Sequence, residues 1–230
     1  MRSALLRHPL RLVRVAAAVA MTLASASCGE AGSTTVDDDG PLSTSTVVGG
    51  GAVDPPLGWK GSFEATFGSF VLCSTEEGAS IRLTEVTFPS GAPDGVTAWV
   101  RRVLPDDVAA VAPRNRHRRF TPVAFGLGAP PSFDQPYSSM RPAGDYTDDV
   151  SAVTVDESCT QVHRAASALA SGDVPTHGYD ELMISVPSTH RGADVRGFSI
   201  SYEADGRSYD VRVPWTMVVC DAKGTRRHCS

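Results

Sequence analysis

Lysine is almost absent from this chain. Lys60 and Lys223 stand against nineteen arginines, and asparagine occurs once, at Asn115. The skew reads as the coding bias of a GC-rich genome and has no physical meaning for function. Also missing are HExxH, Gly-x-Ser-x-Gly, Ser-x-x-Lys and a phosphate-cradling glycine loop, which leaves no familiar catalytic motif. Gly197-Phe198-Ser199-Ile200-Ser201 resembles a nucleophile elbow only on the surface, because its serines lie mid-strand rather than on a strand-to-helix turn. There is no CxxC spacing, which disfavours a four-cysteine zinc site. No internal repeat is visible. No later apolar run approaches the roughly 20 residues a spanning helix needs.

What is present begins at the N-terminus. Arg2, Arg7, Arg11 and Arg14 form a basic head, and Val15 to Ser27 carry no charge. A run this short reads as a cleaved export signal rather than a membrane span. Two ways of cutting it are open. Ala24-Ser25-Ala26 suits an ordinary signal peptidase and would release a secreted protein starting near Ser27. Alternatively Cys28 becomes the lipidated first residue, tethering the protein to the outer face of a membrane; this resembles the bacterial lipobox, departing from it at Ser25, where leucine is usual.

Cysteine number favours the tether. The chain has Cys28, Cys73, Cys159, Cys220 and Cys229. Outside the cytoplasm an odd thiol invites wrong pairing and oxidation. With Cys28 lipidated, four cysteines remain for two bridges. Three pairings are possible. The short turn-like segment Asp221 to His228 favours Cys220 with Cys229, leaving Cys73 with Cys159.

Without its signal the chain has 17 basic and 26 acidic residues, a net charge of about −9 against −5 for the whole. So acidic a protein lacks the electrostatic footprint of a nucleic-acid binder. Anionic head groups would repel it, so a covalent anchor makes more sense than electrostatic adhesion.

Residues 28–58 read as the lipidated cysteine and a disordered linker, with Asp37 to Asp39, Gly49 to Gly51 and Pro55-Pro56. That composition buries no core, and as a coil it would span about 30 Å. The aspartate run lacks the spacing of a calcium loop. Residues 59–230 read as a single domain. Phe63 to Cys73, Val96 to Val103, Ser151 to Glu157 and Glu181 to Val186 are strand candidates, and Ile81, Leu83, Val86 and Phe88 slip in phase as at a β-bulge. The strongest pattern is the last hairpin. Phe198, Ile200 and Tyr202 precede Asp205-Gly206, and Tyr209, Val211 and Val213 follow it. A two-residue turn there pairs Tyr202 with Tyr209, Ile200 with Val211 and Phe198 with Val213, all on one face. Pro214 predicts an edge position or a bulge. Val162, Ala165, Ala166 and Leu169 predict one short helix, capped by Thr160 and ended by Gly172. Between residues 105 and 149 only Thr121 to Phe125 resembles a strand, and so long an irregular stretch marks a functional or mobile region. Together these elements predict a mainly β chain, an antiparallel β-sandwich with one short helix and long irregular loops.

The lipobox-like signal, polar spacer, small β domain and closing strand into Cys220 resemble uncharacterised lipoproteins of high-GC Gram-positive (actinobacterial) bacteria, some with immunoglobulin-like domains. The resemblance covers the layout. It implies an immunoglobulin-like sandwich and carries no catalytic residue over, since fold does not determine function.

The candidate binding residues form a dense basic cluster, Arg114, Arg116, His117, Arg118 and Arg119, which stands out from an acidic chain and suits an acidic partner. A loop that balances the protein's own carboxylates is the plainer reading. Arg226-Arg227-His228 could hold an anion or be a solvated turn. His163, His177 and His190 with Asp180 match no ligand spacing. Trp59, Trp99 and Trp215 could stack on a glycan or pack in the core. The expectation is an exported, lipid-anchored envelope protein that binds a protein or glycan without catalysis and without a cofactor or metal. The alternatives are an envelope enzyme or its accessory subunit, and a passive structural surface protein.

Overall fold

The computed structural model describes residues 40–45, 49–55, 61–111, 124–131, 133, 143–221 and 229, all within the unit Gly32–Ser230. Its strands are β1 (Leu42–Ser43), β2 (Gly50–Val53), β3 (Phe63–Ser74), β4 (Ile81–Thr87), β5 (Thr97–Val103), β6 (Phe125–Leu127), β7 (Asp145–Thr147), β8 (Thr154–Val155), β9 (Tyr179–Ser188), β10 (Ala193–Ala204) and β11 (Arg207–Val219). Two helices accompany them, α1 (Pro105–Val111) and α2 (Cys159–Ser171). One sheet runs β1-β3-β9-β5-β7, with β6 also on β3; the other runs β2-β11-β10-β4-β8. Packed face to face, they make the sandwich that the alternating strands predict.

The hairpin of β10 and β11 has the predicted register. Tyr202 pairs with Tyr209, Ile200 with Val211 and Phe198 with Val213. Asp205 and Gly206 both take positive φ, at 50° and 72°, as a turn matched to strand twist requires. Tyr209, Val211 and Val213 turn inward, and Ile200 and Val211 are fully buried. Pro214 falls where the pairing with β10 slips, the bulge its missing N–H predicts. The phase slip in β4 is also a bulge, with Glu85 opposite Ser201 but Leu83 opposite Tyr202. Across the core, Phe70 meets Phe198 edge-on with ring centroids 4.9 Å apart.

A third bulge was not legible. In β3, Phe67 faces Ile184 and Phe70 faces Leu182, so the Gly68-Ser69 pair opposes one residue of β9. It switches parity. Phe63, Ala65 and Phe67 point into the sandwich before it, and Phe70 and Leu72 after it.

Several expectations need correcting. The stretch 28–58 is not all linker, because β1 joins the first sheet through β3 and β2 joins the second through β11. Leu42 is 1% exposed, and its N–H donates to the Tyr202 hydroxyl at 3.3 Å. Composition hid this, since two very short strands dock on edges that the rest of the chain builds. The β2–β11 pairing is parallel, whereas the other strand pairings among the described residues are antiparallel. Between Ser151 and Glu157 the strand is confined to Thr154–Val155, after a 3₁₀ turn at Val150–Ala152 capped by Asp149. The extra helix α1 starts at Pro105, with the Asp107 carboxylate accepting from the Leu104 N–H. In α2 the N-cap is Ser158 rather than Thr160, through a capping box with Gln161, and Ala166 faces solvent. Gly172 ends that helix in the left-handed conformation, as predicted. In the 121–125 candidate, residues 121–123 lie outside the described residues, and the strand is Phe125–Leu127.

If Leu42 is a core residue, Leu42→Ala should cost about 2 to 4 kcal/mol of unfolding free energy in a urea titration. A true linker residue would leave the midpoint unchanged.

Candidate functional site

The first sheet is covered on both sides. Its inner face meets the second sheet. Its outer face lies partly under α1 and α2, where Val103, Val108, Val162 and Tyr179 pack with Cys73, and partly under residues 124–133, where Ala124 and Phe133 cover Met183. Consequently β9 is buried along almost its whole length.

Into this outer layer the sequence places an acid and a base. Arg101 and Glu181 are cross-strand partners on β5 and β9, both fully buried and 2.7 Å apart. Glu181 Oε1 also accepts from the Ser69 N–H at 2.8 Å and the Ala124 N–H at 2.9 Å. The bulge makes this possible. Ser69 sits at φ 85°, turning its N–H to the carboxylate, and a Cβ on Gly68 would lie 2.4 Å from Glu181 Oε1 and 2.2 Å from the Ala124 carbonyl. Burial pushes the Glu181 carboxyl up, against the pull of Arg101 and of both N–H groups. Tyr179, 3.5 Å from Arg101 through its hydroxyl, is also pushed up by burial.

One residue along, the pair repeats on the other face. Arg102 makes a two-pronged bond to Asp180, at 2.8 and 2.9 Å, and donates to the Thr154 carbonyl of β8 at 2.7 Å. It thereby joins the two sheets at one end of the sandwich, and its guanidinium is held above the usual range chiefly by the bond to Asp180. Among the described residues the buried charged side chains are Arg101, Asp180 and Glu181. All three are committed to these pairs.

The effect is to fasten residues 124–133 across the sheet. Ala124 is held by Glu181, β6 pairs with β3, and Thr66 Oγ1 donates to the Gly128 carbonyl at 2.7 Å. Of the sequence candidates, Cys28, Arg114, Arg116, His117, Arg118, Arg119, Arg226, Arg227, His228 and Trp59 lie outside the described residues. The disulfides are Cys73–Cys159 and Cys220–Cys229, the pairing that the short terminal loop favours. They put the folded domain in an oxidising, extracytoplasmic setting. No helix among the described residues is long and apolar enough to cross a membrane.

The histidines do not converge on Asp180, which is occupied by Arg102; His177 instead lies 3.5 Å from Glu157. Asp54, Cys220 and Cys229 do converge, but the two sulfurs are bonded to each other and offer no thiolate. Trp215 packs edge-on to Phe67 and Phe70, and Trp99 is half-buried over Met183, so both are largely spent on packing. A polar cleft of about 360 Å³ opens beside the Cys73–Cys159 bridge, lined by Ser74, Thr75, Glu77, Gln161, Arg164 and His177. Some of its polar groups already serve the backbone, with Ser74 closing the turn at Glu76 and Gln161 capping α2.

The buried pair escaped sequence reasoning, although a signal existed. Arg101 and Arg102 lie near the end of one strand candidate, and Asp180 and Glu181 stand at the start of another, so the charges match residue for residue once the strands pair. Glu181→Ala should destabilise the domain by about 3 to 5 kcal/mol, because Arg101 is left buried and uncompensated. Arg101→Leu combined with Glu181→Leu should recover much of that loss. A double variant as unstable as the sum of its parts would show that the two side chains do not act together.

No protein-family model matches this chain, and no curated protein or solved structure is similar to it.

Proposed function

We propose that this is an exported protein, anchored by lipid on Cys28, whose sandwich is a non-catalytic binding or adaptor module for a protein or glycan of the cell envelope. The observation that carries the reading is the cysteine pairing. Two bridges use four of the five cysteines and leave Cys28, at the point where the export signal would be cut. Lipidation would remove that odd thiol. The layout it shares with lipoproteins of high-GC Gram-positive bacteria agrees.

The surface we assign to the partner is the stretch 112–123, with Arg114, Arg116, His117, Arg118 and Arg119. Its flanks support this. It leaves from the end of α1 at Val111 and returns at Ala124, which Glu181 holds to the sheet. A basic segment tied down at its return suits an acidic partner better than the acidic remainder of the chain does.

Fractionation and intact mass test the anchor. The native chain should partition with membranes and carry the mass of two or three acyl chains, and Cys28→Ser should be soluble and unmodified. Retention on an anionic polysaccharide column at about 150 mM salt tests the surface, since exposed charges act over roughly 8 Å there. Arg116→Glu with Arg118→Glu should elute well ahead of the native chain. Equal retention would remove the basic stretch from the proposal and leave the anchor standing.

A further inference from the structure

Strand β11 is divided by Pro214 into two halves with different neighbours. After a two-residue turn the flanking residues exchange both hydrogen bonds, so Arg207, Tyr209, Val211 and Val213 spend their backbone groups on β10. The even residues point the other way. Beyond Pro214 they meet β2, where the Thr216 N–H donates to the Gly49 carbonyl and the Cys220 N–H to the Val53 carbonyl. Before it, Ser208, Asp210 and Arg212 carry their N–H and C=O groups to the sheet edge, and no strand among the described residues pairs with them. Such an edge is a template for another strand.

The side chains on this edge are self-complementary. Asp210 and Arg212 are exposed on the same face, two positions apart, and no ion pair within the described residues engages either. Among the described residues Asp210 accepts from the Ser201 hydroxyl on its own sheet. An antiparallel copy related by a two-fold axis at Val211 sets Asp210 opposite Arg212 of the partner, and Arg212 opposite Asp210. Those are the residues whose backbone groups face outward, so each such pair can exchange both of its hydrogen bonds. Val211 then faces Val211 of the partner without hydrogen bonds, and Ser208 faces Pro214, whose missing N–H ends the match. Centring the axis on Asp210 instead would oppose two carboxylates. Charge and hydrogen-bond parity therefore select one register.

We propose that two copies of this chain join along the open half of β11 in that register, continuing the second sheet from one molecule into the next. The interface is short, so the dimer is weak, populated at roughly 100 μM and above. The face it forms is independent of the anchor and of the basic stretch.

Sedimentation equilibrium of the full chain carrying Cys28→Ser should show the apparent mass rising from one chain towards two over that range. Asp210→Arg should weaken association at least about tenfold, because both attractive pairs become repulsive, and adding Arg212→Asp should restore it. Cysteine crosslinking reads the register directly. The opposed Cα atoms would lie about 5.5 Å apart, within disulfide reach. Chains with Asp210→Cys mixed with chains with Arg212→Cys should form a mixed disulfide under mild oxidation, and neither variant should do so alone. A monomer throughout, a dimer indifferent to the charge swap, or a crosslink of Asp210→Cys with itself would overturn the proposal.

Discussion

A carboxylate shut away from water must be given donors, and Glu181 takes its donors from three separate parts of the chain. Arg101 supplies charge from β5, Ser69 an N–H from the bulge in β3, and Ala124 an N–H from the segment that crosses the sheet. Remove Arg101 and an uncompensated charge remains in a dry layer, which costs several kcal/mol; remove either N–H and the carboxylate loses one of its hydrogen bonds. The outer layer of the first sheet is therefore assembled around this one group. The Gly68-Ser69 bulge, the close approach of Ala124 and the burial of β9 on both faces are conditions for one another.

The two sheets consequently have different characters. The second has one face in the core and one in water, so its strands alternate and its register can be read from the sequence. The outward row of Ser201, Glu203, Asp210 and Arg82 is polar because it stays wet, with Arg82 and Glu203 paired at the surface. The first sheet is covered over much of both faces, and no strict alternation is required of it. Met183, Thr66 and Ser185 are buried on its outer face, the last two by bonding to each other at 2.8 Å.

That difference decides what the sequence discloses. The hairpin around Asp205-Gly206, the β4 bulge and the bridge at the C-terminus depend on nearby residues, and local pattern suffices for them. The pairing of Arg101 with Glu181 joins positions 80 residues apart, and the parity switch at Gly68 matters only once β9 lies opposite. Leu42 stands between Gly40-Pro41 and a run of serine and threonine, and its burial depends on an edge built by β3 and on the hydroxyl of Tyr202. In each case the physical reason for the residue lies in a partner that no local window contains. The candidate site follows the same rule, since the basic stretch is visible as composition but the Glu181 hold on its return point is not.

The segment from Gly40 to Val53 has a mechanical meaning as well. It runs along the edge of the first sheet through β1 and then along the edge of the second through β2, ending where Cys220 bonds the Val53 carbonyl. A pull on the chain ahead of Gly40, directed along β1, would load the β1–β3 hydrogen bonds together in shear instead of opening them one at a time. The β2–β11 bonds, further along the chain, would take the load only after those had parted. Resistance to such a pull is set by the rate of the first rupture rather than by equilibrium stability. A short edge segment thus works as a strain relief for the domain behind it.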